Sequence, residues 1–179
     1  MLDIYENQEA ERAEIYKLFS ALFMKGPAPQ IVEEVKEMFR IESDESLDEI
    51  GRDFASVFLR PDLHMSPYES LYNPSPGEMP GLGGKTASEV RSFYEAAGLT
   101  LDEEMNLMPD HLSVELLFMS YLIENNRFEE QKGFMESHLF QWVPGYCDEL
   151  QKRASTVFYK QAADLLKEFI LSEYESLNE

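Results

Sequence analysis

Residues 81–86 (Gly-Leu-Gly-Gly-Lys-Thr) have the residue types that can bind a phosphate group. Glycines let backbone N–H groups approach an anion at the start of a helix, where the helix dipole also favours negative charge. The Walker pattern, however, requires a glycine five positions before Gly84, and that position is Met79. No strand is predicted before this segment. We interpret it as a turn before a helix, with weak binding of an anion or a guanine nucleotide as the alternative.

Other residue types that could perform catalysis do not form a known motif. His111 and Glu115 are four apart and share a helix face, but this is half of a helical metal site, and the Glu-x-x-His pairs of di-iron bundles are absent. No Gly-x-Ser-x-Gly elbow surrounds Ser70, and no spacing relates Cys147 to a histidine. The sequence predicts no enzyme, no resident cofactor and no metal, and a nucleotide-binding enzyme remains the less favoured alternative.

The charge of the chain limits its partners. The 179 residues include 35 acidic and 15 basic side chains, a formal net charge of -20. A field of this sign repels nucleic acid and anionic lipid and attracts cationic proteins, peptides or metal ions. We therefore expect no nucleic-acid binding, although acidity that serves solubility alone explains the charge equally well.

Three further features predict a cytoplasmic protein. Cys147 is the single cysteine, so the chain cannot form an intrachain disulfide, which fits a reducing compartment. Residues 1–14 lack the basic and apolar regions of a signal peptide. No window approaches the roughly 18 apolar residues that a membrane span requires, so we expect no stable membrane insertion.

Apolar residues recur with helical spacing along most of the chain, and no stretch alternates like a strand. The prediction is an all-α fold: one domain, residues 1–179, containing a single bundle of about eight helices. Ser46 with Glu49 and Thr86 with Glu89 have the capping-box spacing that marks a helix start. Gly98 is a predicted helix end, Pro144 is predicted in the first turn of a separate helix, and Ser155 is predicted to cap the last helix.

Two segments stand out within this bundle. Residues 110–124 are apolar on nearly every face, which predicts a central buried helix. Residues 61–84 contain five of the nine prolines and four of the nine glycines and form a long predicted loop. Loops of this length are uncommon in compact domains and are usually functional or disordered. Because this loop carries Tyr68, Leu71, Tyr72 and Leu82, it has apolar surface to bury or to offer to a partner.

A set of short motifs occurs in a characteristic order. The motifs are Met65-Ser-Pro-Tyr-Glu-Ser-Leu-Tyr72, Gly84-Lys-Thr-Ala-Ser-Glu-Val-Arg91, Phe93-Tyr94, Ala97-Gly98-Leu99, Pro109-Asp110-His111-Leu112, Glu115-Leu-Leu-Phe-Met119, His138-Leu-Phe-Gln-Trp142 with Pro144, and Phe158-Tyr159. In this order and spacing the chain resembles the TorD/DmsD family of redox-enzyme maturation chaperones, relatives of the nitrate reductase assembly chaperones. The resemblance covers most of the chain, most clearly residues 54–170.

The resemblance implies an all-helical, non-catalytic protein of the cytoplasm. Members of this family bind the twin-arginine signal peptide and the immature catalytic subunit of a molybdopterin oxidoreductase until the cofactor is inserted. A helical scaffold or regulator without signal-peptide binding is the alternative function.

The resemblance also implies a peptide-binding site. Eight residues correspond by position to the family's site. Pro67, Tyr68, Ser70 and Tyr72 match its loop motif, Gly84 and Thr86 match the glycine and hydroxyl residue before the next helix, and Asp110 and His111 match its Asp-His pair. Glu69 adds a carboxylate, and Leu107-Met108 stand where the family signature has Glu-Pro. We expect Glu69 and Asp110 to supply charge to a cationic peptide, and the tyrosines with Leu71 and Leu82 to supply apolar contact. Helix capping by Asp110 and plain loop packing by the tyrosines are the alternatives.

Overall fold

Helices account for most of the chain, as the apolar spacing predicts. The structure is a computed structural model and describes residues 2–24, 26–59, 65–102, 104 and 106–179. Within these ranges the α-helices are α1 (Leu2–Met24), α2 (Pro29–Phe39), α3 (Leu47–Phe54), α4 (Gly84–Ala96), α5 (Leu112–Glu124), α6 (Phe128–Phe134), α7 (Phe140–Arg153) and α8 (Val157–Asn178). The described residues contain no strand beyond one isolated antiparallel bridge between Tyr68 and His111. The all-α prediction is confirmed.

Helix α5 is central, because α1 packs along its length and α6 packs on it as well. Residues such as Leu112, Leu116 and Met119 are fully buried in the core. Leu117 is the exception to the prediction of burial on nearly every face, since 39% of its surface remains exposed. The second extensive helix pair is formed by α7 and α8.

Helix α2 buries one narrow face. Val32 and Val35 are completely buried. Met38, which has the spacing of a core position, is 48% exposed instead. Ile31 and Phe39 are partly buried against the core, so Met38 is the apolar side chain of α2 that this packing leaves at the surface.

The predicted break before Pro144 is wrong. Helices α6 and α7 are joined by a π-helical turn, Met135–Leu139, into one continuous helix in which Pro144 lies in the interior. Proline removes one backbone hydrogen bond there. Burial of Trp142, Val143 and Tyr146 holds this segment in the helical conformation against that loss.

The predicted helix starts are confirmed only in part. Ser46 and Glu49 form the predicted capping box at α3. The cap of α8 is Thr156 rather than Ser155, because the Thr156 hydroxyl accepts the Tyr159 N–H and its own backbone N–H donates to Asp53. Asp53 therefore fixes the start of α8 from α3.

The predicted long loop is described from residue 65 onward, and its first residues, 61–64, lie outside the described residues. We call the described part, residues 65–83, the loop 65–83. It contains one 3₁₀ turn, Glu69–Leu71, and leads directly into α4. Gly98 follows α4 with a positive φ of 81°, as its prediction as a helix end requires.

Candidate functional site

The loop 65–83 is hydrogen-bonded to the start of α5. The backbone N–H of Leu112 donates to the carbonyl of Pro67 at 2.8 Å, and the N–H of Glu69 donates to the carbonyl of Asp110 at 2.9 Å. The first N–H groups of a helix have no partner inside the helix, so Pro67 satisfies one of them for α5. Between these bonds the rings of Tyr68 and His111 meet edge to face, with centroids 4.8 Å apart.

His111, not Asp110, caps α5. Its Nδ1 accepts the backbone N–H of Ser113 at 3.1 Å. Burial lowers the pKa of His111 to about 4, so this nitrogen stays free to accept at neutral pH. The carboxylate of Asp110 is completely buried and accepts the backbone N–H of Ser70 at 3.0 Å. Asp110 therefore holds the loop, and its interpretation as a helix cap is wrong.

Ser70 closes the loop upon itself. Its hydroxyl accepts the N–H of Gly83 at 3.1 Å, and its carbonyl accepts the N–H of Gly81 at 3.2 Å. Gly83 and Gly84 both have positive φ, at 84° and 69°, which favours glycine at these positions. This reversal brings the chain back from the loop into α4.

The N-terminus of α4 already carries a carboxylate from this chain. Oε2 of Glu78 accepts the backbone N–H of Lys85 at 2.9 Å. An ideal Cβ on Gly84 would lie 2.9 Å from the same oxygen. A phosphate bound to these N–H groups would have to displace Glu78, so the structure gives no support to a nucleotide at this turn.

Thr86 is hydrogen-bonded to Asn73 and Ser75 in the middle of the loop instead of capping α4. Its hydroxyl accepts the backbone N–H of Ser75 at 2.9 Å and donates to the carbonyl of Asn73 at 3.3 Å. Glu89, its expected capping partner, accepts a hydrogen bond from the Ser75 hydroxyl at 2.6 Å. The predicted Thr86–Glu89 capping box is therefore wrong, and Gly83 precedes α4 as its N-cap.

A cluster of buried polar side chains lies beneath the loop. Glu69 is fully buried; its Oε1 accepts a hydrogen bond from Asn73 at 2.7 Å, and its Oε2 lies 2.8 Å from Nδ1 of His138 in the π-helical turn. Glu115 is also fully buried, and its Oε2 accepts the indole N–H of Trp142 at 3.1 Å. Burial, together with the nearby charge of Glu69, raises the pKa of Glu115 well above its ordinary value. Two buried carboxyl groups at close range favour a proton on one of them.

Apolar side chains of the loop lie on the outer side of this cluster. The ring of Tyr72 stacks on Trp142 with centroids 5.6 Å apart and meets Tyr146 edge to face at 5.2 Å. Tyr72 remains 37% exposed, Leu82 60% and Met79 86%. The loop thus combines a backbone fixed from inside with apolar groups that face solvent.

The described residues hold no group of three or more His, Cys, Asp or Glu side chains placed to bind a metal. In the same part of the chain, no helix has both the length and the apolar content to cross a bilayer. The hydrogen bonds of Glu69 to Asn73 and His138 support the loop from below.

Known proteins with the same features now identify the family. Residues 24–148 match the family model of the nitrate reductase delta subunit. The chaperone protein TorD of Photobacterium profundum is 30% identical over 172 residues, which cover 86% of this chain and 77% of that protein. This chain belongs to the TorD and nitrate reductase delta subunit family. The TorD relatives are named chaperone proteins, in agreement with the prediction of no enzyme.

Two further comparisons define the extent of the similarity. TorD of Vibrio cholerae is 29% identical over 143 residues, and the match covers 73% of this chain and 63% of that protein. The chain thus spans less than two thirds of the length of this TorD relative. A solved structure from Archaeoglobus fulgidus, described as a redox enzyme maturation protein, superimposes with a TM-score of 0.62 at 19% identity, over 89% of this chain and 93% of that one. This likeness shows a shared fold.

Within this TorD-family fold, the predicted site residues converge on one region. Hydrogen bonds and ring contacts link Tyr68, Glu69 and Ser70 to Asp110 and His111, and Pro67 is bonded to the adjacent Leu112. Gly84, Thr86 and Tyr72 lie at the remainder of the loop. Glu69 and Asp110, expected to offer charge, are both fully buried. Sequence reasoning did not assign His138, Trp142 and Tyr146 to the site, although the motif His138–Trp142 was the signal that could have indicated them.

Proposed function

We propose that this protein is a cytoplasmic maturation chaperone that binds the twin-arginine signal peptide and the immature catalytic subunit of a molybdenum oxidoreductase, and holds them until the cofactor is inserted. The named TorD relatives support the chaperone class. The observation that carries the peptide site is the loop 65–83, whose backbone is anchored by buried bonds while Tyr72, Met79 and Leu82 face solvent. An anchored loop loses little conformational entropy when a peptide binds.

The proposed residues divide into two roles. Pro67, Glu69, Ser70, Gly84, Thr86, Asp110 and His111 set the shape of the loop, and Tyr68 and Tyr72 offer surface for contact. Because the carboxylates of Glu69 and Asp110 face inward, the attraction for the two arginines comes mainly from the exposed acidic surface and the net charge of -20. Such exposed pairs contribute about 0–1 kcal/mol each, so apolar burial carries most of the affinity.

Calorimetry with a twin-arginine signal peptide tests this proposal. We expect a dissociation constant on the order of micromolar, about -8 kcal/mol. Truncation of the peptide's apolar run should abolish binding, whereas replacement of its arginines by lysine should weaken binding modestly. Tyr72→Ala combined with Leu82→Ser should weaken binding about tenfold or more.

Phe128→Ala is the matched control, because Phe128 is an exposed aromatic residue on α6 that lies outside the loop. It should leave peptide affinity unchanged, and circular dichroism should show that all variants keep their helix content. If the Tyr72/Leu82 variant folds and binds as tightly as wild type, the proposed site is wrong. If the wild-type protein binds no signal peptide at all, the alternative of a helical scaffold is favoured.

A further inference from the structure

The outer face of α5 is apolar but not fully covered. Val114, Leu117, Phe118 and Tyr121 recur at helical spacing on this face and line a cavity of about 380 Å³ together with residues 99–102. A helix that is apolar nearly all round is normally covered on every side. In this chain Leu117 of α5 is partly open to solvent, so α5 has more apolar surface than the bundle buries.

A second apolar cavity lies next to the first, between α1 and α2. Leu18, Ala21, Ile31 and Met38 contribute its apolar lining, and its volume is about 530 Å³. Met38 is the side chain of α2 that the structure leaves half-exposed. Exposed apolar groups gathered in a cavity, rather than scattered singly, mark interaction sites.

Lys17 lines both cavities. Its ammonium group is bonded to Glu14 at 2.9 Å and also to Glu124 on α5. The described lining of the two cavities contains five carboxylates and Lys17 as its one cation: Glu14, Glu34, Glu37, Asp102 and Glu124 are the acidic residues. The combined surface is thus apolar in its floor and acidic at its rim.

We propose that these two cavities form a second docking surface, for an amphipathic helix of a partner protein that carries lysine or arginine beside its apolar face. The cavity walls are faces of α1, α2 and α5 with apolar residues at helical spacing, which form the grooves into which the side chains of another helix pack. Strand addition by an extended peptide would need the free edge of a sheet, and the described residues of this face lie in helices and in the segment 99–102, with no strand among them.

Charge decides against a second copy of this chain as the occupant. Two copies would bring two acidic rims together on proteins that each have a net charge of -20. Like charges placed opposite each other at an interface disfavour the complex. A basic amphipathic helix instead places its cations against the carboxylates and its apolar side chains in the cavities.

This surface is separate from the proposed signal-peptide site. Neither cavity is lined by a residue of the loop 65–83, nor by Gly84, Thr86, Asp110 or His111. The inference consequently does not depend on signal-peptide binding, and the two sites can be tested independently.

The probe is a synthetic peptide of about 18 residues made of leucine and lysine, with leucine at helical spacing, long enough to form a helix on binding. The control peptide has the same composition with leucine and lysine in strict alternation, so that it has no apolar helix face. Binding to the full-length protein is followed by NMR of labelled methyl groups. We expect signal shifts at Ile31, Met38 and Leu117 with the first peptide, while Met79 and Leu82 stay unchanged.

Affinity of the helical peptide for two paired variants completes the test. Met38→Ser with Leu117→Ser should weaken binding about tenfold or more, because it removes apolar contact from each cavity. Phe128→Ser with Val157→Ser removes similarly exposed apolar groups elsewhere and should leave the affinity unchanged. Absence of binding, equal binding of both peptides, or equal affinity of both variants would overturn the proposal. The wild-type methyl shifts decide the question even if a variant folds poorly.

Discussion

Oε2 of Glu69 lies 2.8 Å from Nδ1 of His138, and both side chains are buried. The contact joins the 3₁₀ turn of the loop 65–83 to the π-helical turn between α6 and α7. It ties the most exposed segment of the proposed site to one of the long helices of the bundle. The position of the loop is therefore fixed by tertiary contacts as well as by its own turns.

Glu69→Ala tests this connection. The change leaves the buried His138 and the half-buried Asn73 without their carboxylate partner. We expect the free energy of unfolding to fall by about 3 kcal/mol, because a buried group that loses its partner costs more than an exposed one. Urea denaturation measures it, with Glu95→Ala on the exposed face of α4 as the control. Equal stability of the two variants would contradict the connecting role of Glu69.

Glu115→Gln should change how stability depends on pH. The pKa of Glu115 is raised by burial and by the charge of Glu69, so the folded protein holds a proton that the unfolded chain releases above its ordinary value of 4.5. Stability of the wild type therefore falls as pH rises above that value. The glutamine variant has no proton to lose, and its stability relative to wild type should increase between about pH 5 and pH 7.

Denaturant melts at several pH values measure this difference. Glu95→Gln on the exposed face of α4 serves as the control. A constant difference between Glu115→Gln and wild type across the pH range would show that Glu115 is ionised in the folded protein.

His111→Asn should have a pH effect on the acid side. Burial lowers the pKa of His111 to about 4 from its ordinary value of 6.5. As pH falls from 6.5 to 4, the unfolded chain takes up a proton that the folded chain does not, so the wild type loses stability in this window. Asparagine retains the capping function without titrating. Thermal melts should show a shallower decline for the variant, and parallel curves would contradict this origin.

Leu116→Ala and Leu117→Ala form a matched pair on adjacent positions of α5. Leu116 is fully buried, and its truncation should cost roughly 2–5 kcal/mol. Leu117 is partly exposed at the cavity, and its truncation should cost less than about 1 kcal/mol. Urea melts of both variants test the orientation of α5, and a larger loss for Leu117 would show that the helix is rotated.

Gly84→Ala and Gly81→Ala test the reversal into α4. Gly84 has a φ of 69°, and an added Cβ would approach Glu78, so alanine there should cost about 1–2 kcal/mol. An added Cβ at Gly81 meets no atom closer than 3.8 Å, and alanine there should be nearly neutral. Equal melting temperatures for the two variants would argue against the described turn.

The features that sequence reasoning predicted correctly depend on local signals. The Ser46–Glu49 capping box and Gly98 at the end of α4 are set by residues only a few positions apart. Helix α5 was predicted because its apolar composition is unusual over a continuous stretch. Such signals keep their meaning wherever the segment lies in the fold.

The features that it missed depend on distant partners. The hydroxyl of Thr86 bonds to Ser75 and Asn73 in the loop, so its capping pattern was misleading. Pro144 continues a helix because Trp142 and Val143 are buried around it. Likewise the sequence favours Glu69 and Asp110 as charges offered to a peptide, but both carboxylates face inward because they bond to His138 and Ser70.

The π-helical turn Met135–Leu139 determines the direction around the helix axis in which the side chains of α7 point. Each residue of an α-helix advances the chain by about 100° around the axis, so one added or removed position swings all later side chains by that angle. Ser137 is an exposed residue of this turn. Its deletion would keep α6 and α7 in one continuous helix but would rotate Trp142 and Tyr146 away from Tyr72. The number of residues in this turn thus determines whether α7 presents Trp142 and Tyr146 to the loop 65–83.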